Sequence, residues 1–344
     1  MQMKDRAPRA PTGLMALTLS GLALASPAAA ELTELHVMNA GGLYADALDK
    51  CVNDAFFDST GIKVIQEVPG GYAKLASQAQ AGVVANVVSD AATGELYREI
   101  AEGLIEPINY DALAPEPMFD EARHEYGFGA SYYSTIMAWR KDVKAPSNFV
   151  EFFDTENFPG TRGLPDYPDF VLPFAALAAG MTTEEVSQGL DLDLAFETLN
   201  RVKDDVIWWQ AGAQSAQLLK DNEAQYVISW SGRVIGHDDI AWSFQDGMLD
   251  VSWWVVAKGA SDEEKEVLWK WMHEQSKPSV QLCITEETSY PGPALGLAEM
   301  LPAEMLPTIP TSEQNKAVQW LLNGQWWFDN AAEIETRWNE FKLQ

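Results

Sequence analysis

Between residues 33 and 103, short apolar runs alternate with segments of helical periodicity, and glycine or proline marks most changes. Residues 33–38 (TELHVM) read as a strand ending at Asn39-Ala40-Gly41-Gly42. From Tyr44 to Asp58, Leu48, Val52, Ala55 and Phe56 fall on one helical face. Gly61 turns the chain into a second strand, Ile62 to Val68, which Pro69-Gly70-Gly71 breaks. Tyr72 to Ala81 is predicted as a helix with Leu75 and Ala79 inward, Val83 to Val88 as a buried strand, and Gly94 to Glu102 as a helix capped by Gly103. Strands alternating with helices of this length are the pattern of an α/β layered sheet.

The rest of the chain continues in this style. Strands are expected at Tyr126–Trp139, Gly163–Asp166, Gln225–Trp230 and Asp250–Ala257. Helices are expected at Phe149–Phe153, through Leu172, Ala176 and Ala179, at Phe196–Val202, at Asp262–Gln275 behind an N-cap at Ser261, and at Ala331–Phe341. With 47% hydrophobic and 11% aromatic residues, the chain can bury enough apolar surface to offset its ordering entropy.

The N-terminus reads as a cleavable secretory signal, residues 1–30. Lys4, Arg6 and Arg9 precede a short apolar stretch, Leu14 to Ala25, and Ala28-Ala29-Ala30 offers the small residues a signal peptidase needs. The apolar stretch is too short for a bilayer core of ~30 Å, which takes ~20 helical residues. A periplasmic protein is expected. Removing that segment takes away three basic residues and one acidic residue, leaving 20 Lys and Arg against 50 Asp and Glu, or −30 in place of −28. Such a balance excludes nucleic-acid binding, which needs cations to displace counterions from phosphates. It fits either a solvated surface or attraction of cationic solutes. The two cysteines, Cys51 and Cys283, are either disulfide-bonded, as an oxidising compartment permits, or two buried thiols.

No nucleotide-binding P-loop, H-E-x-x-H, C-x-x-C or G-x-S-x-G pattern is present. His237-Asp238-Asp239 is a poor metal candidate, since metals take converging ligands. No catalytic residue, cofactor or metal is therefore expected. All 13 tryptophans follow position 138, with neighbouring pairs at Trp208-Trp209, Trp253-Trp254 and Trp326-Trp327. Their faces can pack a core or attract a cation.

Several runs then occur in a telling order: Thr60-Gly61-Ile62-Lys63-Val64, Tyr72-Ala73-Lys74-Leu75, Ala101-Glu102-Gly103-Leu104-Ile105-Glu106-Pro107-Ile108, Ile228-Ser229-Trp230-Ser231-Gly232 and Ser289-Tyr290-Pro291-Gly292-Pro293. The series resembles the periplasmic solute-binding proteins of bacterial ABC importers, in their spermidine/putrescine-binding branch. The resemblance implies a two-lobe, type II-like clamshell with crossover strands, acting as a monomer that captures a small molecule and docks on a membrane ABC permease. It places lobe one at residues 31–135 plus 254–305 and lobe two at 136–253 plus 306–344. Crossovers are expected near Ser131–Ala138, Val251–Val255 and Leu301–Thr311. Both cysteines then share lobe one, which favours their disulfide.

The resemblance also marks ligand positions. Trp230 and Tyr290 retain aromatics, Asn39 and Tyr44 lie on the first loop, and Asp90 follows the Val87-Val88 strand. Tyr167 and Phe170 occupy the places of an acidic pair that grips a polyamine ammonium. The acidic residue of the second crossover falls near Ser252, with Asp250 close by, and Trp327 stands where a glutamine is expected. Trp253 joins Trp230, Tyr290 and Trp327 as aromatic walls. Arg233 completes the set; its fork binds a carboxylate in bidentate fashion, or else it pairs with Asp238 or Asp250. Aromatics with one arginine suit an amine or betaine zwitterion of the γ-aminobutyrate kind, beside polyamine-like cations. The alternatives are a ferric-iron or other metal carrier using Tyr132 and Tyr133, and an exported hydrolase.

Overall fold

The computed structural model describes residues 32–343, and the expected signal segment lies outside them. β1 (Glu34–Met38) and β2 (Lys63–Glu67) pair in parallel, Glu34 opposite Lys63 and Met38 opposite Glu67. Between them α1 (Leu43–Leu48) widens into a π turn, Asp49–Asn53, and resumes as α2 (Asp54–Thr60). Gly61 ends it at φ 74°, the left-handed conformation that a glycine adopts without a Cβ penalty. α3 (Tyr72–Ala81) turns Leu75 inward as expected.

The third strand differs from the sequence reading. β3 spans Val88–Ala91, not Val83–Val88. The Gln78 side-chain oxygen accepts from the backbone amides of Ala85 and Asn86 at 2.9 and 3.0 Å, so the preceding segment is satisfied off the sheet and Val83 stays exposed. The shift puts Asp90 inside the strand, just ahead of α4 (Thr93–Ala101).

Two long strands form the centre. β4 (Gly127–Arg140) pairs antiparallel with a strand of 18 residues that follows β5 (Arg162–Pro165), β6 (Val206–Trp209) and β7 (Tyr226–Trp230). That strand is β8 (Ile240–Ala257), and the sheet runs β2-β1-β3-β8-β4-β7-β5-β6. Along β4 and β8 the chain passes from one lobe to the other. Phe128, Tyr132, Leu249 and Trp254 belong to a core with Leu35 and Leu96. Met137 and Met248 belong to another, with Phe174 and Trp338, while Ile136 joins Trp209 and Phe244 in a third. Ile136 and Met137 part because neighbours in a strand point to opposite faces. Core membership on β8 changes between Met248 and Leu249, a few residues ahead of the expected Val251–Val255.

The last helix, α5 (Gly324–Leu343), extends the expected Ala331–Phe341 toward its N-terminus and packs on α4. Only glycine fits at 324, where a Cβ would lie 2.4 Å from the Tyr97 ring. Cys51 and Cys283 are joined, Cα atoms 5.8 Å apart, tying the π turn to the helix Pro278–Thr288.

Candidate functional site

Between the lobes lies a cavity of about 440 Å³, within the range of small-molecule sites. The first lobe and the crossing strands contribute Tyr44, Asp90, Glu95, Ser131, Ser252 and Tyr290; the second contributes Tyr167, Asp169, Phe170, Trp230 and Arg233. The turn at Gly70 lets the backbone close on the cavity floor, since a Cβ there would meet the Asn39 nitrogen at 2.8 Å.

One end is acidic. Asp90 accepts a hydrogen bond from Ser252, and burial nevertheless pushes its carboxyl up to about 6. Glu95 accepts from the Ala92 amide at 3.2 Å, capping α4, and burial raises it too. Asp169 sits on the turn Pro168–Phe170; burial first, then the charges of Asp250 and Glu95, bring it to about 7. None of these carboxylates forms an ion pair with Lys or Arg among the described residues. The Tyr44 hydroxyl is buried beside Asp90 and Ser131.

The rest of the lining is aromatic and carries one cation, Arg233. Phe170 meets Trp230 edge to face at 5.6 Å, and Tyr167 meets Phe170 likewise at 6.3 Å, its hydroxyl held by the Gln210 carbonyl at 2.7 Å. Trp230 ends β7, and the short helix Ser231–Val234 carries Arg233. Arg233 is in no ion pair among the described residues, and its Nε is buried without a partner, as is Trp230 Nε1. Glycines make room for this group: a Cβ on Gly212 would lie 2.7 Å from the Trp230 ring, and one on Gly232 would lie 2.5 Å from Tyr290.

Of the residues marked in the sequence, Tyr44, Asp90, Tyr167, Phe170, Trp230, Arg233 and Tyr290 line the cavity. Four lie elsewhere. Asn39 is fully buried, accepting from the Gly41 amide at 2.8 Å to shape the first loop. Trp253 donates to Thr93 at 2.9 Å and packs on His124. Asp250 stands behind the wall, holding Thr93 and, at 2.7 Å, the Tyr133 hydroxyl; it does not pair with Arg233. Trp327 belongs to the core of the second lobe. Asp169 and Glu95 line the cavity without being marked in the sequence; the one sits in the Asp166–Phe170 stretch, between the two aromatics assigned to the acidic pair, the other in an expected helix.

The geometry speaks against metal carriage by Tyr132 and Tyr133. Neighbours on β4, they diverge: Tyr132 is fully buried in the first core, whereas Tyr133 faces the cavity. No group of three or more His, Cys, Asp or Glu could hold a metal among the described residues, His237-Asp238-Asp239 included.

A two-lobe α/β clamshell with a polar and aromatic cavity at its hinge defines a solute receptor. Residues 52–311 match the family described as bacterial extracellular solute-binding protein, and the chain belongs to it. It is the extracytoplasmic solute-binding component of an ABC importer, which captures a small molecule for a permease and is not an enzyme. A γ-aminobutyric acid-binding protein from Pseudomonas aeruginosa is 28% identical over 335 residues, 94% of this chain and 95% of its own. An ABC transporter substrate-binding protein from Bradyrhizobium japonicum is 28% identical, with a TM-score of 0.82 over 90% of this chain and 99% of that one. The structure of the Atu4243-GABA receptor is 27% identical, with a TM-score of 0.81 over 90% and 97%. No helix among the described residues is long and apolar enough to cross a membrane.

Proposed function

We propose that the protein is a monomeric periplasmic receptor for a small amino-acid zwitterion of the γ-aminobutyrate kind. The observation that carries this reading is Arg233, in no ion pair among the described residues and beside Tyr290, in a cavity whose other charges are the carboxylates of Asp90, Glu95 and Asp169. A carboxylate on the arginine and an ammonium among the acids satisfy both ends. Trp230, Phe170 and Tyr167 cover the apolar stem, and their faces add attraction for the cation. The names of the Pseudomonas relative and the Atu4243 receptor support the same class. The acidic end also favours a second reading, a diamine such as putrescine.

Calorimetry with γ-aminobutyrate, a betaine, putrescine and spermidine separates the two. Arg233→Ala is expected to weaken the zwitterion at least about tenfold, the scale of a lost charge-assisted hydrogen bond, and the diamine little. Equal losses for both would make Arg233 a structural residue. A chain that binds only diamines would replace the zwitterion reading with the second.

A further inference from the structure

The acidic end of the cavity is shared between the lobes. Asp169 comes from the second lobe and Glu95 from α4 of the first, and both face the same space. The two segments approach closely: a Cβ built on Gly94 would lie 3.8 Å from Asp169 Oδ2. The Glu95 charge reaches Asp169 across this approach, and neither carboxylate forms an ion pair with lysine or arginine among the described residues. Tyr44, only 8% exposed, lines the same end with its hydroxyl beside Asp90 and Ser131. Arg233 meets no such opponent. Across the cleft from its helix stands the uncharged ring of Tyr290, close to Gly232.

We propose that Asp169 and Glu95 are specificity-determining residues that act as a latch: their charges repel across the empty cleft, and a cation seated between them draws the lobes together. This rests on the cavity being the solute site proposed above and assigns different tasks to the two ends of the solute. The carboxylate binds Arg233 on one lobe and leaves the cleft free to open. The cation bridges both lobes and closes it. A neutral solute, or an acid without an amine, leaves the repulsion in place. Like charges brought together at an interface disfavour the docked state, and opposite charges favour it. A ligand shifts a conformational equilibrium only by its difference in affinity for the two forms.

The test begins without any ligand. Small-angle scattering at low ionic strength is expected to give a smaller radius of gyration for unliganded Asp169→Asn/Glu95→Gln than for the unliganded wild type. Gln still caps α4 through its carbonyl oxygen, and far-UV circular dichroism checks the fold. Equal radii overturn the latch. In the wild type, γ-aminobutyrate and n-butylamine should contract the molecule and butyrate should not; contraction by butyrate equal to that by n-butylamine also overturns it. Asp169→Asn should bind γ-aminobutyrate at least about tenfold more weakly, as expected for loss of a close charge pair, and unchanged affinity counts against the latch. Contraction of the unliganded variant without γ-aminobutyrate binding to the wild type leaves the latch standing and rejects the zwitterion.

Discussion

Glu99 offers the most direct check on the energetics of the acidic region. It is fully buried on α4, and neither carboxylate oxygen has a hydrogen-bond partner. Burial, reinforced by Glu95, Asp90 and Glu102, pushes its carboxyl up to about 9 from an ordinary value of 4.5. Between these values the folded chain keeps a proton that the unfolded chain has released. The unfolded state thus binds fewer protons, and stability falls as pH rises through that window. At pH 7.5 the gap from 4.5 is about three pH units, or about 4 kcal/mol at ~1.4 kcal/mol per unit. Relaxation around the group lowers this to about 2–4 kcal/mol, still a large share of the ~5–15 kcal/mol that holds a typical domain together. Glu99→Gln removes the titration while keeping the shape, so it should stabilise the protein at pH 7.5 by that amount and raise Tm by several degrees. At pH 4.5 and below the two proteins should melt together, because a protonated carboxyl and an amide leave similar polar groups unpaired. Thermal melts across pH 4.5–8 measure the gap directly. A gap that does not change with pH, or a less stable Gln variant at pH 7.5, would refute the reasoning and mean that Glu99 is held ionised by a favourable partner.

Amine affinity should rise between pH 5 and pH 8, since Asp90 at about 6 and Asp169 at about 7 become charged over that range; calorimetry at several pH values follows it. Gly212→Ala drives a Cβ within 2.7 Å of Trp230 and 3.2 Å of the Arg233 Nε, so ligand affinity should drop at least about tenfold while circular dichroism stays native. Cys51→Ser/Cys283→Ser opens a cross-link spanning 232 residues, worth about 5.5 kcal/mol in the chain-entropy account. The variant should melt lower in the absence of reductant and lose its deficit when the wild type is fully reduced.

Much of the scaffold was legible in the sequence because its period is local. Strands and helices from Glu34 to Ala101 follow apolar spacing and glycine punctuation, and only the Val83–Val88 run misled, where a buried Gln78 takes the amides a strand would have used. The cavity was legible in aromatics and less so in acids. A lining residue is set by which way a side chain points, and a slip of one position in a strand reverses that. Between Ser252 and Trp253 the pairing skips Ala130 on β4, and the two neighbours face opposite ways, Ser252 to the cavity and Trp253 to His124. At Pro168–Phe170 a 3-10 turn brings Tyr167, Asp169 and Phe170 to the same wall, an outcome that strand alternation does not anticipate. Glu99 carries a weaker signal still, its spacing of four residues from Glu95 on one helical face.

The acidity of the chain acquires a second meaning from this geometry. A net charge of −28 spread over the surface keeps a protein soluble and says little about a ligand. The inner carboxylates are different in kind. Asp90, Glu95, Asp169 and Asp250 lie at or behind one end of the cavity, where burial raises all four, and their hydrogen-bond partners there are hydroxyls and backbone amides. Carboxylates so placed cost stability while no cation is near, so under the proposed function the field that destabilises the unliganded closed form is the same field that selects its ligand. On the reading proposed above, the single arginine of the cavity turns cation selection into zwitterion selection, since it offers a carboxylate a site that a diamine cannot use. The tryptophans of the second half serve this arrangement unevenly: Trp230 lines the cavity, Trp209 supports it edge to face at 5.3 Å, and Trp254 and Trp271 lie fully buried in the core of the first lobe. On the proposed reading, selectivity rests less on the abundance of aromatics than on where the few charges without an ion pair face.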